Sequence, residues 1–245
     1  MKNATGNALF LILIAVALFA ALSYAVTNSG RGGSGIDREN VELYAAEFVQ
    51  YGALIRSAVD RMRIINGCRD TEITFEGNNG VSKDGDGNAI DYTNSNAPSD
   101  KNCHIFDVNG GGVPPKLMND KAVVGVADLP DGSFGHPQSP FLLPSRVLGV
   151  GTDSGAAGMD VVLWLGRPKD EVCMRINEKL GIDNPSDAPP VDTFCASAFF
   201  TGTYADCVQE LGDTVTALQG KEAMCVQFTS GEEYSNAYLQ VLWAR

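Results

Sequence analysis

Between Ala8 and Val26 the chain carries no charged side chain, and no acid occurs before Asp37. No other feature restricts the fold as strongly. Nineteen residues wound as a helix rise about 28 Å, close to the roughly 30 Å hydrocarbon core of a bilayer. Only Ser23 and Tyr24 interrupt the apolar character. Lys2 is the sole basic residue before Arg31, so the short N-terminal side is expected in the cytoplasm and the rest of the chain outside. Ser23-Tyr24-Ala25 presents small residues where a signal peptidase cuts. Cleavage after Ala25 gives a secreted domain, and no cleavage there leaves a single-span anchor.

The segment beyond the apolar run holds all 30 acids, and the formal net charge of the whole chain is −12. That balance argues against nucleic acid as a partner, because phosphate binding needs a concentrated basic patch. It argues equally against docking of the exported part on anionic lipid. All six cysteines, Cys68, Cys103, Cys173, Cys195, Cys207 and Cys225, also lie beyond the run, and none forms a C-x-x-C pair. The spacing for a zinc clamp or dithiol chemistry is missing. An even number confined to the exported part fits disulfides formed in an oxidising compartment. Six cysteines allow fifteen pairings. The short separation favours Cys195 with Cys207, Cys68 with Cys103 closes a long polar loop, and Cys173 with Cys225 is the remainder.

Residues 28–38, with "NSGRGGSG" at their start, read as a glycine- and serine-rich linker. From Asp37 to Ile65 an amphipathic helix is expected. Val41, Phe48, Ile55 and Met62 recur every seven residues, and Tyr44, Tyr51, Ala58 and Ile65 form a second stripe. Asp37 reads as its N-cap and Asn66-Gly67 as its stop. Without regular flanking charge pairs, such a stripe suits a helix laid on a sheet better than a coiled coil. Strands are expected at Glu72–Phe75, Ala122–Val126, Val161–Leu165, Met224–Phe228 and Tyr238–Trp243, with a short helix from Lys169 to Leu180 closed by Gly181. Long loops are expected at Gly77–Asp100 and Pro130–Pro144. One helix followed by consecutive strands implies an α+β domain with an antiparallel sheet.

Little in the sequence carries reaction chemistry. Asp84, Asp86 and Asn88 place side-chain oxygens at alternate positions, as in calcium loops, but an EF-hand would want glycine at Ala89 and glutamate at Ser95. A polar turn is the competing reading. Asp153-Ser154-Gly155 matches the tripeptide of an aspartic protease, yet no second copy occurs, and such enzymes need two facing aspartates. His104 and His136 are the only histidines. His104, beside Cys103, is expected on the surface. No phosphate-binding glycine loop or H-E-x-x-H is present. The chain does not read as an enzyme.

Met1-Lys2-Asn3-Ala4-Thr5-Gly6 is a short polar leader ending in glycine directly before the apolar helix. This resembles the N-terminus of type IV pilins and the pseudopilins of type II secretion. "VCMRINEKLGI" and the closing "YLQVLWAR" resemble parts of pseudopilin-like proteins of Gram-negative bacteria. The resemblance implies a leader at 1–6 cut between Gly6 and Asn7, a membrane-spanning and assembly helix at 7–27, and a periplasmic domain at 39–245. It implies a long helix, membrane-spanning in its first half and amphipathic in its second, packed on an antiparallel sheet with disulfide-held loops. The partners implied are other pilin-like subunits and an inner-membrane assembly platform. No cofactor is implied beyond the structural calcium that some pseudopilins hold. The family typically has glutamate at the fifth mature position, where this chain has Leu11; certain minor subunits that cap a filament tip lack that acid, so the resemblance implies a minor or tip role. The alternatives are a single-span anchor presenting a periplasmic binding domain, and a secreted hydrolase.

Overall fold

The helical periodicity beyond Asp37 has a direct structural counterpart. A computed structural model of the chain describes residues 10, 12–20, 33–128, 135–151, 158–193, 198–204, 210–230 and 233–245. The chain divides into two units, Met1–Asn40 and Val41–Arg245. The long helix runs Gly33–Arg61, so Asp37 lies inside it rather than at its cap, and residues 33–38 are helical rather than linker. Phe48, Tyr51, Ile55, Ala58 and Met62 are buried, as the stripes require, joined by Ala45 and Val59. Ile65 departs from its stripe and is exposed. The last turn widens into a π-helix at Met62–Asn66, and the extra residue in that turn carries Ile64 and Ile65 off the inner face. Gly67 ends the helix in the left-handed conformation, its N–H bonded to Met62 O. Gly52 faces the sheet so closely that a β-carbon there would stand 2.7 Å from the Tyr238 ring.

Among the described residues five strands form one sheet: β1 (Pro140–Val147), β2 (Asp160–Leu165), β3 (Glu210–Leu211), β4 (Ala223–Ser230) and β5 (Glu233–Trp243), in the order β3-β1-β2-β5-β4. All pairs are antiparallel except β1 with β3, so the sheet is mixed at one edge rather than wholly antiparallel. The expected strands over Val161–Leu165, Met224–Phe228 and Tyr238–Trp243 are β2, β4 and β5. β1 falls partly in the stretch expected to be loop, because its Pro140 and Pro144 argue against a central strand. Leu142 explains how they are tolerated: its N–H reaches Tyr92 Oη at 3.2 Å and its carbonyl accepts the Phe200 N–H at 2.7 Å, both away from β2. Pro140 and Pro144 share that parity, so the donors they lack would have pointed to the outer edge, where β3 pairs with Arg146 and Val147.

Two expected strands are not strands of the sheet. Asp70–Glu72 is a 3-10 turn, and Thr74 bridges His104. Val123 bridges Pro168, and Val126–Asp128 is another 3-10 turn. In both stretches the backbone is satisfied by loops: Thr74 O accepts the Ile105 N–H at 3.1 Å and Arg167 O the Val124 N–H at 3.0 Å. Once those groups are paired, nothing draws the segments to a sheet edge.

β1 and β2 are buried along their whole length, so the sheet has a core on each face. Leu142, Leu163, Leu165 and Tyr238 meet the long helix and a short helix, Asp170–Leu180, which contributes Val172, Cys173 and Ile176. Phe141, Leu143, Trp164, Met224 and Leu239 form the second core with Ile182, Leu211 and Leu218. Gly181 caps the short helix in the left-handed conformation, as its sequence suggests. Glu42 on the long helix accepts hydrogen bonds from Lys179 and Arg175 on the short one, which hold its carboxyl below the usual range.

Strand β4 would be an open edge, and other groups close it. The Asn177 side chain accepts the Cys225 N–H at 2.9 Å and donates to Cys225 O at 2.8 Å, acting as a strand would. Two residues on, Gln227 N–H reaches Pro190 O at 2.9 Å and Gln227 O accepts the Asp192 N–H at 3.0 Å. A covered edge does not recruit a strand from another chain.

Candidate functional site

The processing residues Gly6 and Asn7, and Leu11, lie outside the described residues. Of the expected membrane-spanning segment, residue 10 and residues 12–20 are helical. Among the described residues no helix is long and apolar enough to cross a membrane. The described part is apolar all round: Phe10, Ile12, Leu13, Ile14, Val16, Leu18 and Phe19 are exposed. At 100° per residue these positions point in every direction about the axis. A helix of that kind requires an apolar medium or apolar partners on all sides.

The second exposed apolar feature lies on the long helix. Leu43 and Leu54 are 64% and 47% exposed; eleven positions apart, they stand three turns from one another on one face. With Ala46, Gln50, Tyr51 and Pro114 they line a groove of about 490 Å³. Tyr51 donates to Pro114 O at 3.0 Å, and burial pushes its hydroxyl up to about 12. Lys116 pairs with Glu47 at 2.7 Å along the same wall. The groove is thus an apolar strip with one ion pair on its flank, well suited to packing against another helix.

Cys68 with Cys103 and Cys173 with Cys225 form two of the expected disulfides. Cys195 and Cys207 lie outside the described residues, as do Asp153 and Ser154. The first disulfide ties the end of the long helix to the loop after residue 100, and the second fastens the short helix to β4. Both therefore join distant segments within the larger unit.

The oxygen-rich loop is a tight turn. Lys83 bridges Ala89, and one Asp84 oxygen accepts the Asn88 N–H at 2.8 Å while the other accepts Asn88 Nδ2 at 3.2 Å. The Asn88 N–H, with help from those of Asp86 and Gly87, holds the Asp84 carboxyl below its usual range. Asp86 and Asn88 are exposed. Of the oxygens that resemble a calcium loop in sequence, both of Asp84's are engaged in the turn itself. Among the described residues no three His, Cys, Asp or Glu side chains are grouped to hold a metal.

His104 is buried, not on the surface. The chain folds back over it, so that its carbonyl accepts the Gly111 N–H at 2.9 Å. It lines a polar cleft with Glu76, Lys101 and Asp107, residues that sequence reasoning did not single out. Their only advance signal is the turn-rich "FEGNNG" and "SDKNCH" around them. His136 is half-buried, and burial, with Lys83 nearby, holds it below the usual histidine range. No family model, curated protein or solved structure matches this chain.

Proposed function

We propose that the chain is a minor, pilin-like subunit of a secretion or pilus-type filament, held in a bacterial inner membrane by its N-terminal helix with the larger unit in the periplasm. The observation that carries this reading is the helix over residues 12–20 with exposed apolar side chains on every side. Such a surface is stable only in lipid or among like helices. The larger unit supports the reading in three ways. It lays a long helix on a mostly antiparallel sheet, it carries two disulfides suited to an oxidising compartment, and its β4 edge is closed. The partners are other pilin-like subunits and a membrane assembly platform, met through the N-terminal helix and the strip around Leu43 and Leu54. The role is structural.

Leu11 sets the place in the filament. In a stack of identical copies each mature N-terminal amine needs an acid on its neighbour. Leucine cannot supply one, and an unpaired charge at membrane depth costs about 2.5–3.5 kcal/mol. The first subunit has no predecessor to neutralise, so a cap or initiator tolerates Leu11. N-terminal sequencing of the mature protein tests the reading. A chain beginning at Asn7, with processing lost in Gly6→Val, supports it. A start at Val26 or Met1 rejects it. Long filaments assembled from this chain alone would reject the capping role.

A further inference from the structure

A buried cation stands at the margin of the second core without a counter-charge. Strand β2 ends at Leu165, and Gly166 turns the chain back in the left-handed conformation, with φ of 53°. The turn is tight: a β-carbon on Gly166 would stand 2.8 Å from Pro137 O. Arg167 follows with its backbone fixed. Its N–H donates to Pro137 O at 2.7 Å, and its carbonyl accepts the Val124 N–H at 3.0 Å. The side chain lies over the sheet face that carries Trp164, Ala237 and Leu239. Its guanidinium carbon is 5.5 Å from the ring centre of Trp164 and 5.8 Å from that of Phe228. Those two rings meet edge-on, with centroids 4.8 Å apart.

Arg167 is 2% exposed, and no carboxylate lies within ion-pair distance of it among the described residues. Burial, with no acid opposing it, pushes the group down to about 10, so it stays charged at neutral pH. A charge withdrawn from water is costly unless it is paired. The aromatic faces attract it but do not neutralise it.

The donors tell where the missing partner belongs. Nη1 donates to Ser235 Oγ. Nε is buried and has no partner. Nη2 has no acceptor among the described residues either, but it is not sealed off as Nε is. Nε–H and the neighbouring Nη2–H run parallel and form the fork that grips two oxygens of one carboxylate or phosphate. Ser235 thus engages the one nitrogen outside that fork, and the fork itself is empty-handed. A buried donor without a partner in the protein calls for water or an ion, and here the unbalanced charge selects an anion.

We infer that the Nε–Nη2 edge of Arg167 binds a small oxyanion between Trp164 and Phe228. The anion enters at Nη2, and half-buried Phe228 is the wall that shifts as the second oxygen reaches Nε–H. With so little of Arg167 exposed, the occupant is a free ion of a few atoms rather than the head of a larger molecule. In this low-dielectric setting the ion pair is stronger than on an open surface. The site does not depend on the filament reading and survives its failure.

Titration of the full chain in detergent with inorganic phosphate, at neutral pH and constant ionic strength, tests the inference. The Nε–H resonance of Arg167 should shift along a saturable curve, and calorimetry should return the same dissociation constant. Arg167→Met should weaken phosphate binding about tenfold or more. Arg167→Lys keeps the charge without the fork and should bind nearer to the Met variant than to the parent. Acetate in place of phosphate separates the two oxyanion classes: saturation by phosphate alone assigns an inorganic ion, and saturation by acetate assigns a carboxylate. A resonance unmoved by both anions, or equal affinity in Arg167→Met, would overturn the proposal. The resonance is read in the parent chain, so a variant that fails to fold does not protect it.

Discussion

Gly52→Ala tests the packing of the long helix on the sheet. Alanine is the better helix former, and in a free helix interior the change would stabilise by about 1 kcal/mol. Here the new methyl would stand 2.7 Å from both Tyr238 Cε1 and Tyr238 Oη, against about 3.5–4.0 Å for an unstrained contact. The ring has little room to yield. Tyr238 is fully buried, its hydroxyl donates to Gln240 Oε1 at 3.1 Å, and Phe48 meets it edge-on at 6.1 Å. Nor can the helix lift, because Phe48 and Ile55 on either side of Gly52 are buried against the same sheet. Overpacking of this kind costs about 1–3 kcal/mol, and more where nothing can shift. With neither the ring nor the helix free to shift, the upper part of that range applies, about 2–3 kcal/mol, and after the propensity gain of about 1 kcal/mol is subtracted the variant should lose about 1–2 kcal/mol. Denaturant titration should show a lower midpoint at unchanged slope. In a Tyr238→Leu background the clash is gone, so the same substitution should become neutral or stabilising; the sign change is the coupling between the two positions. A midpoint equal to or above that of the parent in the Tyr238 background would refute the close approach and the packing inferred from it.

Serine at both Cys173 and Cys225 should cost about 4 kcal/mol by chain entropy, because the bond spans 52 residues; a midpoint unchanged relative to the oxidised parent would show that it contributes nothing. Asn177→Ala should cost about 2–4 kcal/mol by stranding the buried N–H and carbonyl of Cys225, and should make the Cys225 amide exchange faster; slow exchange in the variant would exclude the strand-like role of that side chain. Tyr51 should ionise at about 12 rather than its usual 10. Its folded-state value is raised, so its contribution is full below pH 10 and is lost as the pH climbs to about 12. Tyrosinate absorbance of the parent against Tyr51→Phe measures this, and a difference signal centred near 10 would count against burial of the hydroxyl.

The parts of this protein legible in its sequence are those that depend on neighbours close along the chain. Charge depletion from Ala8 to Val26, the sevenfold recurrence of Phe48, Ile55 and Met62, and the left-handed stops at Gly67 and Gly181 are local patterns with local causes, as are the apolar runs that became β2, β4 and β5. Of the fifteen pairings open to six cysteines, Cys68 with Cys103 was suggested by the polar loop it closes and Cys173 with Cys225 only as the remainder; the structure holds both. What only the tertiary structure decided depends on partners distant in the chain. Pro140 and Pro144 sit in a strand because their missing donors would point away from β2, a parity set by Tyr92 and Phe200. Glu72–Phe75 and Ala122–Val126 stayed out of the sheet because the loops at Ile105 and Arg167 satisfied their backbone first. Asp84 became the acceptor of a turn. Glu76, Lys101, His104 and Asp107 face a common cleft because the disulfide at Cys103 and the end of the long helix bring two loops together. Periodicity records which face of a segment is buried, and it carries no information about which distant residue will stand opposite.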